Sequence, residues 1–311
     1  MSTSTVGSHA RGAQTDTARP FFAHLDLQRR RTLVLVPGLL AAMLVLQFLP
    51  AAVVLPVLSA VTGEQDPVRL VGHPVMLLAA NLALGLLVPL TLVAVHVVGR
   101  VPWRAVLATG RSFSWRRLAV TVMALAPVFV VAVLTTALTV PGGYGEVRFD
   151  TPAVTLLVVT VLTMPLAAAA EEVLFRGVVG PAVGAWFRTP ATAVVAGLAV
   201  SSVLFGAIHF ATDPWMIGYT VWIGLAMGLL AVVTRGLETP IAFHVANNVV
   251  LFGLATLTSG GAGVVVDRSA GAGGDSMALV LTLVPFHLLV LGAVWLLERR
   301  RRAASIRGGR W

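Results

Sequence analysis

The sequence predicts an all-α protein: a polytopic transmembrane helical bundle of about eight spans with both termini cytoplasmic. Three observations carry that expectation. Of the 311 residues, 57% are hydrophobic and 11% charged, a balance unlike that of a soluble domain. Apolar runs recur from Leu33 to Leu297 at the length of ~20 residues that a helix needs to cross the hydrocarbon core. All 22 basic residues are arginine, and they are distributed asymmetrically. The tails and the loops 99–117, 177–189 and 235–237 hold 18, against three in the alternate loops: Arg69, Arg148 and Arg268. An excess of positive charge marks the cytoplasmic side.

Taken in order, residues 1–30 are polar and are expected to form a disordered cytoplasmic tail, followed by a transmembrane domain over 31–300. The first apolar run is too long for a signal-peptide core and no small-residue cleavage pattern follows it, so the amino terminus is expected to be retained. The spans fall near 33–60, 74–98, 118–140, 152–176, 190–210, 215–234, 238–258 and 277–297. Pro37, Pro50 and Pro56 either kink the first or break it in two. The stretch 99–117, with Trp103, Trp115 and five arginines, suits a segment lying against headgroups or a solvated loop. Trp186, Trp215, Trp222 and Trp295 read as interfacial anchors. The Gly-, Ala-, Ser- and Asp-containing loop 259–276 is expected to be flexible and external. Residues 301–311 form a basic cytoplasmic tail; Arg299 to Arg302 suit topology and anionic lipid headgroups rather than nucleic acid. The chain has no cysteine, which excludes disulfides and a thiolate nucleophile.

Polar residues inside such spans carry the functional signal, because a charge at the bilayer centre costs about 2.5–3.5 kcal/mol on insertion scales. Glu171 and Glu172 follow a long uncharged run. On a continuing helix Glu172 meets Arg176 one turn later, which leaves Glu171 free, rotated by about 100°. Taken alone, the two acids equally suit a helix end at the water boundary. Phe205 with His209 and His244 with Asn248 repeat the four-residue spacing, each placing two groups on one face. Separately, these residues suit packing or interhelical hydrogen bonding.

Together, Glu-Glu-Val-Leu-Phe-Arg at 171–176, Phe-Gly-Ala-Ile-His at 205–209 and His-Val-Ala-Asn-Asn at 244–248 resemble the three motifs of the CPBP intramembrane proteases. These are the CAAX proteases and bacteriocin-processing enzymes, also called the Abi family. The resemblance covers about 150–258; the first three spans, the last span and the tails match only as hydrophobic bulk. It implies that Glu171 and His209 activate the attacking water, that His244 and Asn248 stabilise the oxyanion, and that Glu172, Arg176 and Phe205 give structural support. It also implies a peptide or protein substrate, membrane-anchored or not. The all-arginine, alanine- and valine-rich usage suggests a multi-pass protein of a bacterial plasma membrane. A metal-free mechanism is favoured. The alternative is a divalent metal, zinc, on Glu171, His209 and His244, but Asn is an unusual zinc ligand and the HExxH pattern is missing.

Helix rise poses a geometric condition. His244 lies ~10 Å past the turn at 235–237, whereas an ordinary span would carry His209 to the opposite side. The motifs meet if the hairpin 177–197 projects beyond the cytoplasmic interface, which opens the site towards the cytoplasm. The competing readings are a proton- or ion-coupled transporter, weakened by the lack of internal repeats, and a non-catalytic membrane scaffold.

Overall fold

The computed structural model describes residues 19–139, 146–258 and 267–308. Among them, eight helices are long and apolar enough to cross a membrane: α1 (Arg29–Thr62), α2 (Pro74–Gly99), α3 (Trp115–Thr139), α4 (Thr151–Gly184), α5 (Pro190–Ala207), α6 (Pro214–Thr234), α7 (Glu238–Thr258) and α8 (Ala270–Ala304). The fold class and the number of spans are as the sequence predicts. Despite its three prolines, α1 is a single helix. Sharp entries set the register of several spans: Asp150, Thr189 and Asp213 each cap a first turn through a side-chain oxygen, with proline at one of the first two helical positions. Proline fits there because those N–H groups have no intrahelical partner.

The central spans are α4, α6 and α7. Within their most apolar windows α6 and α7 bury 56% and 50% of residues, against 17% in α1 and α8. Helix α7 packs on α3 and α4, α6 on α5 and α8, and α2 on α4. Leu33, Met123, Leu138, Leu162 and Val195 are among the large apolar side chains left exposed, as expected of surfaces solvated by lipid rather than water.

Helix α4 runs on past residue 176 to Gly184, 34 residues in all, or about 50 Å at the usual rise. Its turn Phe175–Val179 is π-helical. Pro181 supplies the cause: it has no N–H for the carbonyl of Gly177 and its ring crowds that group, so the wider turn relieves the clash. The hairpin of α4 and α5 is closed by a segment that the sequence reading assigned to a disordered tail. Residues 1–18 lie outside the described residues, but Phe21 and Phe22 are fully buried. Phe22 fills a notch between Gly180, Gly184 and Gly197 that any Cβ would obstruct. A disordered tail was expected because polar neighbours dilute this aromatic pair in sequence.

A Cβ on Gly197 would stand 2.7 Å from the carbonyl oxygen of Gly180, so Gly197→Ala must push α4 and α5 apart. It is expected to destabilise by about 1–3 kcal/mol, measured by unfolding of the detergent-solubilised protein. Gly38→Ala, where nothing lies within 4 Å, is the control and should be silent. Equal stability of the two variants would dismiss the notch as a structural requirement.

The stretch 99–117 is not a free solvated loop. Its short helix Trp103–Leu107 buries Val106 completely against Gly177. The main chain that follows joins the α6–α7 turn: Leu237 N donates to Leu107 O at 2.9 Å and Thr109 N to Arg235 O at 3.1 Å. Arg111 then grips the buried Glu238 carboxylate, its Nη2 donating at 2.7 Å, and Ser114 N donates to the other oxygen at 2.8 Å. Glu238 lies in the first turn of α7, where a carboxylate is favoured by the helix dipole, and the clamp fixes the end of α7 from which His244 projects.

Candidate active site

The structure brings Glu171, His209, His244 and Asn248 to one cavity of about 240 Å³. Glu172 lies beneath its floor with no exposed surface, as does Arg176. The helical spacing has the expected result: Arg176 Nη1 donates to Glu172 Oε1 at 2.9 Å, while its Nη2 donates to the Gly224 carbonyl of α6 at 2.8 Å. The guanidinium also lies 4.4 Å from the Phe205 ring centroid. Phe205 therefore supports the site, with its ring edge-on to Phe175 at 5.4 Å and 5.9 Å from His244.

Rotation about the helix separates the roles of the two glutamates. Glu172 Oε1 also lies 2.9 Å from His244 Nδ1, so its carboxylate holds an arginine and a histidine together. Glu171 Oε2 is buried without a hydrogen-bond partner and stands 3.9 Å from His244 Nε2. A buried polar atom left unpaired is costly, and such atoms call for an explanation by function or by a ligand.

The histidine orientations follow from their neighbours. His209 Nδ1 lies 2.7 Å from the Phe205 carbonyl oxygen. A carbonyl only accepts, so Nδ1 carries the proton and, in the neutral ring, Nε2 keeps its lone pair. The main chain just beyond is held in place: Phe210 adopts φ 51°, a left-handed conformation unusual for a bulky residue.

That turn is clamped by a residue the sequence reading did not select. Arg268 Nη1 donates to His209 O at 2.9 Å, and the Arg268 carbonyl accepts from Thr212 N and Asp213 N at 2.8 and 3.1 Å. Arg268 also lines the cavity; burial pulls its guanidinium below its usual pKa, and the charge of Glu171 opposes that shift. Residues 259–266 of the loop lie outside the described residues, but its end is part of the site. The signal available in the sequence was a lone arginine in a loop on the arginine-poor side.

The motifs do meet at one cavity, beside the long hairpin that α4 and α5 form. His244 lies about 9 Å along α7 from Glu238 and about 21 Å from Thr258, nearer the end that the arginine count assigns to the cytoplasm. The wall nevertheless reaches Arg268, on the side assigned as external. The turn after α5 and the Arg268 segment meet at the level of the motifs, because α5 has only 18 residues.

Three further residues went unselected. Asn81 of α2 lines the cavity and donates to Thr163 Oγ1 at 2.9 Å. His287 of α8 is fully buried. Trp222, read as an interfacial anchor, sits mid-helix in α6 with its Nε1 donating to His287 Nδ1 at 3.3 Å. A histidine or asparagine within an apolar span is itself a functional signal.

Among the described residues no group of three or more His, Cys, Asp or Glu side chains is placed to hold an ion; the Nδ1 atoms of His244 and His209 are engaged, which leaves Nε2 as the ring nitrogen of each that a ligand could reach.

Comparison with known proteins agrees with the motif resemblance. The family model "Type II CAAX prenyl endopeptidase Rce1-like" matches residues 153–250, the region that holds all three motifs. "Uncharacterized protein YyaK" of Bacillus subtilis (strain 168) is 28% identical over 174 residues, covering 53% of this chain and 56% of that protein. The chain thus spans little more than half the length of this relative. No solved structure matches the chain.

Proposed function

We propose that the protein is an intramembrane endopeptidase, CAAX-protease-like, that hydrolyses a peptide bond with Glu171 as general base. The observation that carries this reading is the unpaired Glu171 oxygen, which shares its cavity with His209, His244 and Asn248. Glu171 takes one proton from a water that also donates to His209 Nε2, and the hydroxide attacks the scissile carbonyl carbon. The carbonyl oxygen gains the electron pair and is met by donors from His244 Nε2 and the Asn248 amide. On collapse, the C–N bond breaks and the proton held by Glu171 passes to the leaving amine.

Nδ1 of His244 serves Glu172, so a donor at Nε2 requires the imidazolium form. Two carboxylates, from Glu171 and Glu172, balance that charge together with Arg176. A low-dielectric site strengthens such donors, and loss of one oxyanion donor typically costs 10²–10³-fold in rate. The cavity walls, which include Leu84, Met164, Ile223, Leu251 and Phe252, suit an apolar or membrane-anchored peptide. The all-arginine usage suits a bacterial plasma membrane protein.

The test is purified full-length protein in lipid nanodiscs, offered a library of hydrophobically anchored peptides, with new termini read by mass spectrometry. Cleavage by the native protein that persists in the presence of chelator, and falls about 10²-fold in Asn248→Ala, is the expected outcome. Cleavage lost to chelator and restored by zinc would replace the metal-free scheme. Cleavage untouched by Asn248→Ala would remove that residue from the site.

A further inference from the structure

His287 is a buried polar side chain that the mechanism above leaves unused. Its ring is enclosed by Phe243, Phe129 and Tyr219, with centroids at 5.0, 5.8 and 5.9 Å. Its two nitrogens have separate partners: Trp222 Nε1 donates to Nδ1 at 3.3 Å, and Nε2 lies 3.3 Å from Asn247 Oδ1. Asn247 Nδ2 donates in turn to Asn248 Oδ1 at 3.0 Å. Four side chains from α6, α8 and α7 thus form one line that ends at the cavity.

The line has a direction. An indole N–H can only donate, so Nδ1 of His287 must be bare and the proton of the neutral ring sits on Nε2. Nε2–H then donates to Asn247 Oδ1, which leaves Asn247 only its amino group to offer onward. Asn248 Oδ1 accepts from it, and the Asn248 amino group is left to face the cavity. The two ends of an amide are nearly identical in shape, so packing alone does not decide which end points inward. Pointed the other way, Asn248 would set a carbonyl oxygen against the developing negative charge.

From this we infer that Trp222, His287 and Asn247 are positioning residues that fix the orientation of the Asn248 amide, so that it presents a donor to the oxyanion. The role rests on the peptidase reading; the hydrogen-bond direction does not, and the two are tested separately.

For the direction, ¹⁵N shifts of histidine-labelled full-length protein in detergent, with His287 assigned by its loss in His287→Gln, should report the Nε2–H tautomer. An Nδ1–H tautomer or an imidazolium overturns the relay whether or not any peptide is cleaved.

For the role, kinetics use the library peptide that the native protein cleaves. His287→Phe keeps a ring in the aromatic cage but neither donates nor accepts. It should lower kcat about tenfold or more, with KM within about twofold. His287→Gln, whose amide can place a donor near the Nε2 position, should recover most of that loss. In an Asn248→Ala background His287→Phe should add little, since no amide remains to be oriented. An unchanged kcat in His287→Phe, or a full further loss on top of Asn248→Ala, overturns the relay while leaving the peptidase reading intact. Absence of cleavage of every library peptide by the native protein would instead overturn the peptidase reading, with the tautomer result still deciding the relay.

Discussion

Glu171→Gln is expected to lower the rate of peptide cleavage by about 10²–10⁴-fold, the usual contribution of a general base. Glutamine keeps the shape of the side chain but cannot take a proton from water, so kcat should carry the loss and KM should change little. The fold should change little. Glu171 Oε2 has no hydrogen-bond partner to lose, and the desolvation cost removed with its charge is set against the loss of one of the two carboxylates that balance His244 and Arg176. The unfolding midpoint of Glu171→Gln is therefore expected to stay close to that of the native protein. Cleavage within about threefold of native would exclude Glu171 as the base. A collapse of stability would show that its carboxylate is a structural group instead.

The neighbouring acid should behave in the opposite way, and Arg176→Met is the sharpest test of it. The guanidinium is fully buried, bonded to Glu172 Oε1 and to the Gly224 carbonyl, and lies over the Phe205 ring. Methionine fills much of the same volume but leaves the Glu172 carboxylate with His244 alone and the carbonyl unpaired. Breaking one side of a buried pair costs about 3–5 kcal/mol, so the variant should unfold at markedly lower denaturant or temperature. Adding Glu172→Gln should recover part of the loss, because the stranded charge is then gone. A single variant within about 1 kcal/mol of native would show that neither the pair within α4 nor the Arg176–Gly224 bond that joins α4 to α6 stabilises the fold.

The span pattern was readable because lipid imposes it: backbone groups in hydrocarbon must be satisfied within a helix, so a run of apolar residues of span length has one solution. The difference in roles between the adjacent Glu172 and Glu171 was readable for the same local reason, since Arg176 stands one helical turn from Glu172 and Glu171 is rotated by about 100° from Glu172. Such arguments reach only as far as one helix. The tail containing Phe22, the loop containing Arg268 and the last span containing His287 were read as disorder, flexible linker and hydrophobic bulk. Each lies far in sequence from the residue it serves: Phe22 meets Gly197, Arg268 meets His209, and His287 meets Asn247.

What the sequence determined by itself was therefore the membrane bundle, its number of spans, and the polar residues that share a helical face. Periodicity and hydrophobic length are properties of a segment and need no partner. Only the tertiary structure decided that α4, α7 and the turn after α5 bring those residues to one cavity, how deep along α7 the cavity lies, and which residues from α6, α8 and the loop before it orient the site. Those outcomes depend on how rods of unequal length are stacked and joined, and on which hydrogen-bond donors meet which acceptors across the joins. A side chain with one direction of donation, such as the Trp222 indole, acquires its meaning only when its acceptor is in place.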